Sequence, residues 1–374
     1  MKLSTTLLYI PLFGLTFASP KPHAPPSTFS RVTVYTPPSN YTDPRVLYAR
    51  TAQLPNGDLL ATWENYSPEP PPVYFPIYRS TDNGYTWKEL SRVQDKGYGW
   101  GLRYQPFLYV LPEEIGGFPK GTVLLSGSSI PTDLSKTQID LYASRDEGRS
   151  WEFVSHIAAG GRAVPDNGLT PVWEPFLMVW QKTLICYYSD QRDNATHGQK
   201  MVHQTSRDLK TWGAVIDDVA YPRYTDRPGM PTVAELPNGK FIMTYEYGGG
   251  QTSGSYSFPV FFKIVSDPEK FGPATGRGIK ATDGTIPNGS PYVVWSPAGG
   301  KNGTIIVSSS SHSEVFINTQ LGEGSWKKVA TPEGTSYTRH LRMLNDGHLL
   351  IMGGGKLPPS TTNKVTVTVM DVPK

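Results

Sequence analysis

Two glutamates stand in surroundings that suit a charge poorly. Glu174 heads the apolar run Pro171-Val172-Trp173-Glu174-Pro175-Phe176-Leu177-Met178-Val179, and a carboxyl group entering a buried strand needs a partner or a task. Glu246 lies in Thr244-Tyr245-Glu246-Tyr247-Gly248-Gly249-Gly250, where rings can wall a binding site and glycines let backbone approach a ligand. Two carboxyl groups meeting over one cavity can act as proton donor and as nucleophile or base, the pairing that breaks an acetal. Arg50, Arg227 and the Tyr337-Thr338-Arg339-His340 segment supply cations and a phenol able to tune such a pair or bind hydroxyls. Trp100, with Tyr104 nearby, and the rings beside the two acids, Trp173 and Tyr245, are candidate walls for a ligand with flat apolar faces.

Other chemistries lack their residues. No Gly-x-Ser-x-Gly elbow is present, so a hydrolase serine is unsupported. The seven histidines show no zinc spacing, and Gly248–Gly250 and Gly353–Gly355 lack the Lys-Ser/Thr of a phosphate loop. No metal or cofactor is therefore expected. Lysine and arginine number 35 against 32 acidic residues, with no run of like charge, so neither a nucleic acid nor a membrane is the expected partner.

The elements that must position these residues are read from a repeat. An apolar run, a turn and a second apolar run recur at Leu54-Pro55-Asn56-Gly57, Lys120-Gly121, Gln181-Lys182, Leu236-Pro237-Asn238-Gly239, Asn302-Gly303 and Asn345-Asp346-Gly347. Each copy predicts a tight hairpin, because Asn-Gly and Asp-Gly supply positive φ angles. A second motif, Ser-x-Asp-x-Gly-x-Ser/Thr-Trp, occurs at Ser80–Trp87 and Ser144–Trp151, with a degenerate copy at Ser206–Trp212 and a remnant at Gly324-Ser325-Trp326. Its aspartates, Asp82, Asp146 and Asp208, read as turn staples rather than catalysts.

Six such units predict an all-β fold, a six-bladed propeller, closed by pairing Phe29–Tyr35 with Lys364–Met370. A propeller binds ligands over the mouth of its central channel. The seventh position after each hairpin anchor gives Glu64, Ser128, Ser189, Glu246, Ser310 and Gly354, and departures from small residues there mark a single central site.

Residues 1–18, with Lys2, the apolar stretch Leu7–Phe17 and Thr16-Phe17-Ala18, read as a secretory signal. A Pro-rich leader follows at 19–28, and the propeller fills 29–374 as one domain, expected to be monomeric. Sequons at Asn40, Asn65, Asn194, Asn288 and Asn302 suit a secreted protein. The lone Cys186 cannot form an intrachain disulfide and reads as a small core residue.

The Asp-box turns, together with Trp173-Glu174-Pro175-Phe176 and Tyr245-Glu246-Tyr247-Gly248, resemble fungal exo-arabinanases of glycoside hydrolase family 93. The resemblance spans the mature chain. It implies a sialidase-like propeller that releases arabinobiose from the non-reducing end of linear α-1,5-L-arabinan with retained configuration. It makes Glu174 the acid/base, Glu246 the nucleophile and Tyr337 the catalytic-site tyrosine. Two alternatives remain open on the residues alone. A sialidase would use Arg50, Arg227 and Arg339 to clamp a substrate carboxylate, and a lectin propeller would bind sugar without catalysis.

Overall fold

The computed structural model describes residues 26–250 and 255–374, together with Met1. The expected signal segment, and the leader before residue 26, lie outside the described residues. Alternating β-branched and apolar residues form twenty-four strands, and among the described residues no helix occurs.

The first strand, β1 (Phe29–Tyr35), is set aside until the chain returns. Blade one contains β2 (Val46–Gln53), β3 (Leu59–Asn65), β4 (Phe75–Ser80) and β5 (Lys88–Val93). Blade two contains β6 (Leu102–Val110), β7 (Val123–Ser129), β8 (Thr137–Ser144) and β9 (Glu152–Gly160). Blade three follows as β10 (Val172–Trp180), β11 (Thr183–Asp190), β12 (Lys200–Ser206) and β13 (Ile216–Val219). Blade four is β14 (Arg227–Glu235), β15 (Phe241–Gly248), β16 (Val260–Val265) and β17 (Arg277–Gly278). Blade five is β18 (Tyr292–Ser296), β19 (Thr304–Ser308), β20 (Val315–Asn318) and β21 (Lys327–Val329). Blade six joins β22 (Arg339–Met343), β23 (Leu349–Gly353) and β24 (Val365–Met370), and β1 completes it by antiparallel pairing with β24. The closure expected from the two alternating termini is the observed one.

Each predicted hairpin joins the first and second strands of its blade. At Leu54–Asp58, Leu236–Lys240 and Leu344–His348 the same pair of main-chain hydrogen bonds closes the turn, with Gly57, Gly239 and Gly347 at positive φ. Gln181 and Lys182 reach the same result without glycine, at φ 46° and 60°.

The Asp boxes join third and fourth strands, at the same end as these hairpins. In the first, Asp82 accepts hydrogen bonds from Ser80 Oγ (2.7 Å) and from the Thr86 amide (2.8 Å), and its carboxyl stays below the usual range through such donors despite burial. In the degenerate copy Leu209 takes the left-handed conformation that Asn83 and Glu147 hold directly after the aspartate of the full copies, at φ 62° against 56° and 60°. The boxes also bind neighbouring blades: Trp151 Nε1 donates to Ser91 on β5, and Trp212 Nε1 to Ser155 on β9. Apolar clusters fill the gaps between blades, for example Val46, Leu59 and Trp63 against Leu350 and Val365. Cys186 is fully buried in such a cluster, and burial pushes its thiol well up.

Candidate active site

Antiparallel alternation places the beginnings of the first strands and the ends of the second strands together, at the opposite end from the Asp boxes. The first strands begin with a recurrent irregularity. Tyr48, Gln105, Glu174, Met230 and Ser290 all have left-handed φ, between 43° and 62°, and the last four precede proline. The strand registers slip between Leu47 and Arg50, Tyr104 and Phe107, Trp173 and Phe176, and Gly229 and Thr232. These are bulges, which leave one residue out of the ladder and re-aim its neighbours. Left-handed φ costs a non-glycine residue roughly 1–2 kcal/mol, and such strain persists where the surroundings enforce it.

The freed amides meet the acids. Glu64 Oε1 accepts from the Gln105 amide (2.9 Å), Glu174 Oε2 from the Met230 amide (2.8 Å) and Glu246 Oε2 from the Ser290 amide (2.7 Å). In every case the donor is the left-handed residue of the next blade. Glu174 Oε2 also accepts from Ser189 Oγ (2.6 Å), and Glu64 Oε2 from the Tyr66 hydroxyl (2.7 Å). Below them Phe107, Phe176, Tyr292 and His340 pack ring against ring and close the channel.

The three carboxylates share a pocket of about 600 Å3 with Tyr104, Trp173, Arg227 and Tyr337. Burial raises the carboxyl of Glu246 to about 8, with further upward pressure from the charge of Glu174, and raises Glu64 to about 7. Burial also raises Glu174, against the opposing pull of Ser189, the Met230 amide and Arg227. Two donors reach Glu174 and one reaches Glu246, so Glu174 is the better stabilised as an anion. Among the described residues Arg227 is held by neutral amides, Asn167 (2.6 Å), Gln191 (3.1 Å) and Gln199 (2.9 Å), which leaves its charge to act on both acids. Among the described residues the Tyr337 hydroxyl donates only to the Met230 sulfur (3.7 Å), and burial beside Glu174 and Glu246 keeps it protonated as a donor at the pocket.

Four expected site residues lie elsewhere. Tyr245 is fully buried with its hydroxyl against Tyr221 (2.7 Å), because the pleat sends adjacent side chains to opposite faces of β15. Arg339 is buried and grips the carbonyls of Ser313 and Glu314, both at 2.7 Å, joining blades five and six. Arg50 lies behind the pocket, 4.1 Å over the Tyr48 ring and hydrogen-bonded to Thr338, and acts on the acids only through its charge. Trp100 stacks on Tyr98 outside the pocket. The three-arginine clamp that a sialidase would need is therefore not assembled: Arg227 alone reaches the cavity.

Three further members of the anchor-plus-seven series belong to the site: Glu64 and Ser310 line the pocket, and Ser189 donates to Glu174. Among the sequons, Asn65 is buried and Asn288 lines the pocket with its Oδ1 on the Phe258 amide (2.7 Å), so neither has room for a glycan. Asn40 is exposed, while Asn194 and Asn302 are half-buried.

No family model and no curated protein matches the chain. Solved structures do. An α-L-arabinanase of Penicillium chrysogenum, complexed with arabinobiose, is 60% identical with a TM-score of 0.91, over 92% of this chain and 99% of that one. A GH93 α-L-arabinofuranosidase of Fusarium graminearum, also complexed with arabinobiose, is 58% identical with a TM-score of 0.92, over 92% and 98% of the two chains. A sialidase of Streptococcus pneumoniae shares the fold alone, at 10% identity and a TM-score of 0.59, over 92% of this chain and 70% of that one.

Proposed function

Because the chain belongs to glycoside hydrolase family 93, we propose that it is an exo-α-1,5-L-arabinanase, releasing arabinobiose from the non-reducing end of linear arabinan. The observation that carries this reading is the convergence of Glu174, Glu246, Arg227 and Tyr337 in one pocket, in a chain 60% identical to an arabinanase that holds arabinobiose.

The proposed reaction retains configuration. Glu174 gives its proton to the glycosidic oxygen as the bond to the anomeric carbon breaks, and a Glu246 oxygen bonds to that carbon. Glu174, now ionised, then takes a proton from water as the water oxygen displaces Glu246, restoring both acids. Arg227 and the Tyr337 phenol are placed to stabilise the ionised form of the nucleophile.

One observation favours the reversed roles. The charge of Glu174 presses the Glu246 carboxyl up, and the richer set of donors on Glu174 favours its ionised form, so the proton is better held on Glu246. On that order Glu246 is the acid and Glu174 the nucleophile.

The test is product analysis on linear arabinan by wild type, Glu174→Gln and Glu246→Gln, with proton NMR of the first anomer formed. Arabinobiose of retained configuration from wild type only is expected. Full activity in either variant sinks the two-glutamate mechanism. Secretion is part of the proposal, supported by the signal-like residues 1–18. It is tested by finding the protein in the culture medium with an N-terminus near Ser19.

A further inference from the structure

We propose that Leu357 and Pro358 form the subsite for the leaving arabinose unit, the one just beyond the cut bond; this inference rests on the arabinanase reading above.

The pocket has a polar floor and an apolar mouth. The acids, Arg227 and Tyr337 are buried or half-buried, and the exposed residues of the lining are Pro165, Leu357 and Pro358. Leu357 leaves 52% of its surface open to solvent. Pro165 comes from the connection into blade three, and Leu357 and Pro358 from the β23–β24 connection of blade six, three blades away and so across the ring. With the two terminal units inside and cleavage at the acids, the rest of the chain leaves through this mouth, and its first unit passes Leu357. A furanose ring carries C–H surface as well as hydroxyls, and packing that surface on leucine and proline removes apolar area from water on both partners.

A scattered exposed leucine is ordinary on a protein surface. This one is presented by a clamp within its own loop. The buried Asn363 side chain accepts hydrogen bonds from the Lys356 amide (2.9 Å) and Ser360 Oγ (2.7 Å), and donates to the carbonyls of Lys356 (2.7 Å) and Val46 (3.2 Å). Both main-chain groups of the residue before Leu357 are thereby fixed, and the Val46 bond ties the loop to β2. On the other side of Leu357 the Ser360 amide donates to Asp43 (2.8 Å), and Pro358 and Pro359 stiffen the turn through their restricted φ. Gly355, at φ 102°, lies so close that a side-chain carbon there would come within 2.1 Å of Asn363, so the clamp requires glycine. The Gly355 carbonyl accepts from the Tyr337 amide (2.7 Å), which couples the loop to the segment that carries the pocket's phenol. An apolar surface ordered in advance loses little freedom on binding.

Arabinotriose fills both terminal positions and the proposed subsite, whereas arabinobiose, acting as a product inhibitor, fills the pocket alone. The kcat/KM for arabinotriose and the Ki of arabinobiose are therefore measured for wild type, Leu357→Ala and Leu357→Met. The expected result in Leu357→Ala is a kcat/KM lowered roughly 3- to 10-fold at an unchanged Ki and melting temperature, with recovery in Leu357→Met, which restores the apolar surface. Equal changes in both constants, a change in the Ki alone, or no change in either overturn the subsite. A lowered kcat/KM that comes with a lowered melting temperature and is not recovered in Leu357→Met overturns it as well. Wild type that neither cleaves arabinotriose nor binds arabinobiose overturns the arabinanase reading itself.

Discussion

Ser189→Ala separates the two assignments of acid and nucleophile. The Ser189 hydroxyl donates to Glu174 Oε2 at 2.6 Å, favours the ionised carboxylate, and holds its pKa down against burial. A hydrogen bond to a charged group contributes about 1.5–3 kcal/mol, and one pKa unit corresponds to about 1.4 kcal/mol. The Met230 amide remains in place, and solvent entering the open pocket offsets part of the loss, so the Glu174 carboxyl should rise by about one unit. The assay is kcat/KM for arabinotriose across pH, which reports the free enzyme's essential groups. If Glu174 is the acid, it must be protonated to act, and the alkaline limb moves to higher pH. If Glu174 is the nucleophile, it must be ionised, and the acid limb moves up instead. Two unmoved limbs, in a variant that melts like wild type, would refute the claim that this hydroxyl tunes a working carboxylate.

Stability carries a related signature. The folded Glu246 binds its proton more tightly than the unfolded chain does, so it lowers stability progressively as pH rises from the ordinary carboxyl range toward about 8. Glu246→Gln removes that loss and should raise the melting temperature by a few degrees at pH 8 and by little at pH 5, as scanning calorimetry can measure. Arg227→Gln withdraws the cation acting on both acids; kcat/KM should fall about 100-fold and the acid limb should rise, because both carboxyl groups then ionise less readily. Mass spectrometry of glycopeptides from a eukaryotic host should find glycan on Asn40 and none on Asn65 or Asn288.

The repeat made the ring legible because hairpin chemistry is local: an Asn-Gly turn needs no distant partner to declare itself. Glu174 and Glu246 were legible for the opposite reason, as departures from what each repeat otherwise places there. The arginines were less so. Arg50, Arg227 and Arg339 look alike in sequence, yet their fates depend on which neighbours offer carbonyls and rings, and those neighbours come from other blades. Tyr245 was misplaced by proximity, since adjacency in a strand means opposite faces. The left-handed residues at the strand starts were visible as a recurring X-Pro, but their conformation, and the amide each offers to an acid, belong to the folded bulge.

The clasp of blade six sets an order of events during synthesis. Residues 29–35 emerge from the ribosome before the other described strands, but their partner strand, 365–370, emerges after them all. At about 5–20 residues per second, β1 waits some tens of seconds as an unpaired edge. The sheet it completes carries Tyr337 just before its first strand, so this wall of the pocket rests on the last pairing to form. The pocket is thus unfinished until residues 365–370 have been made, and catalytic competence waits on that one strand.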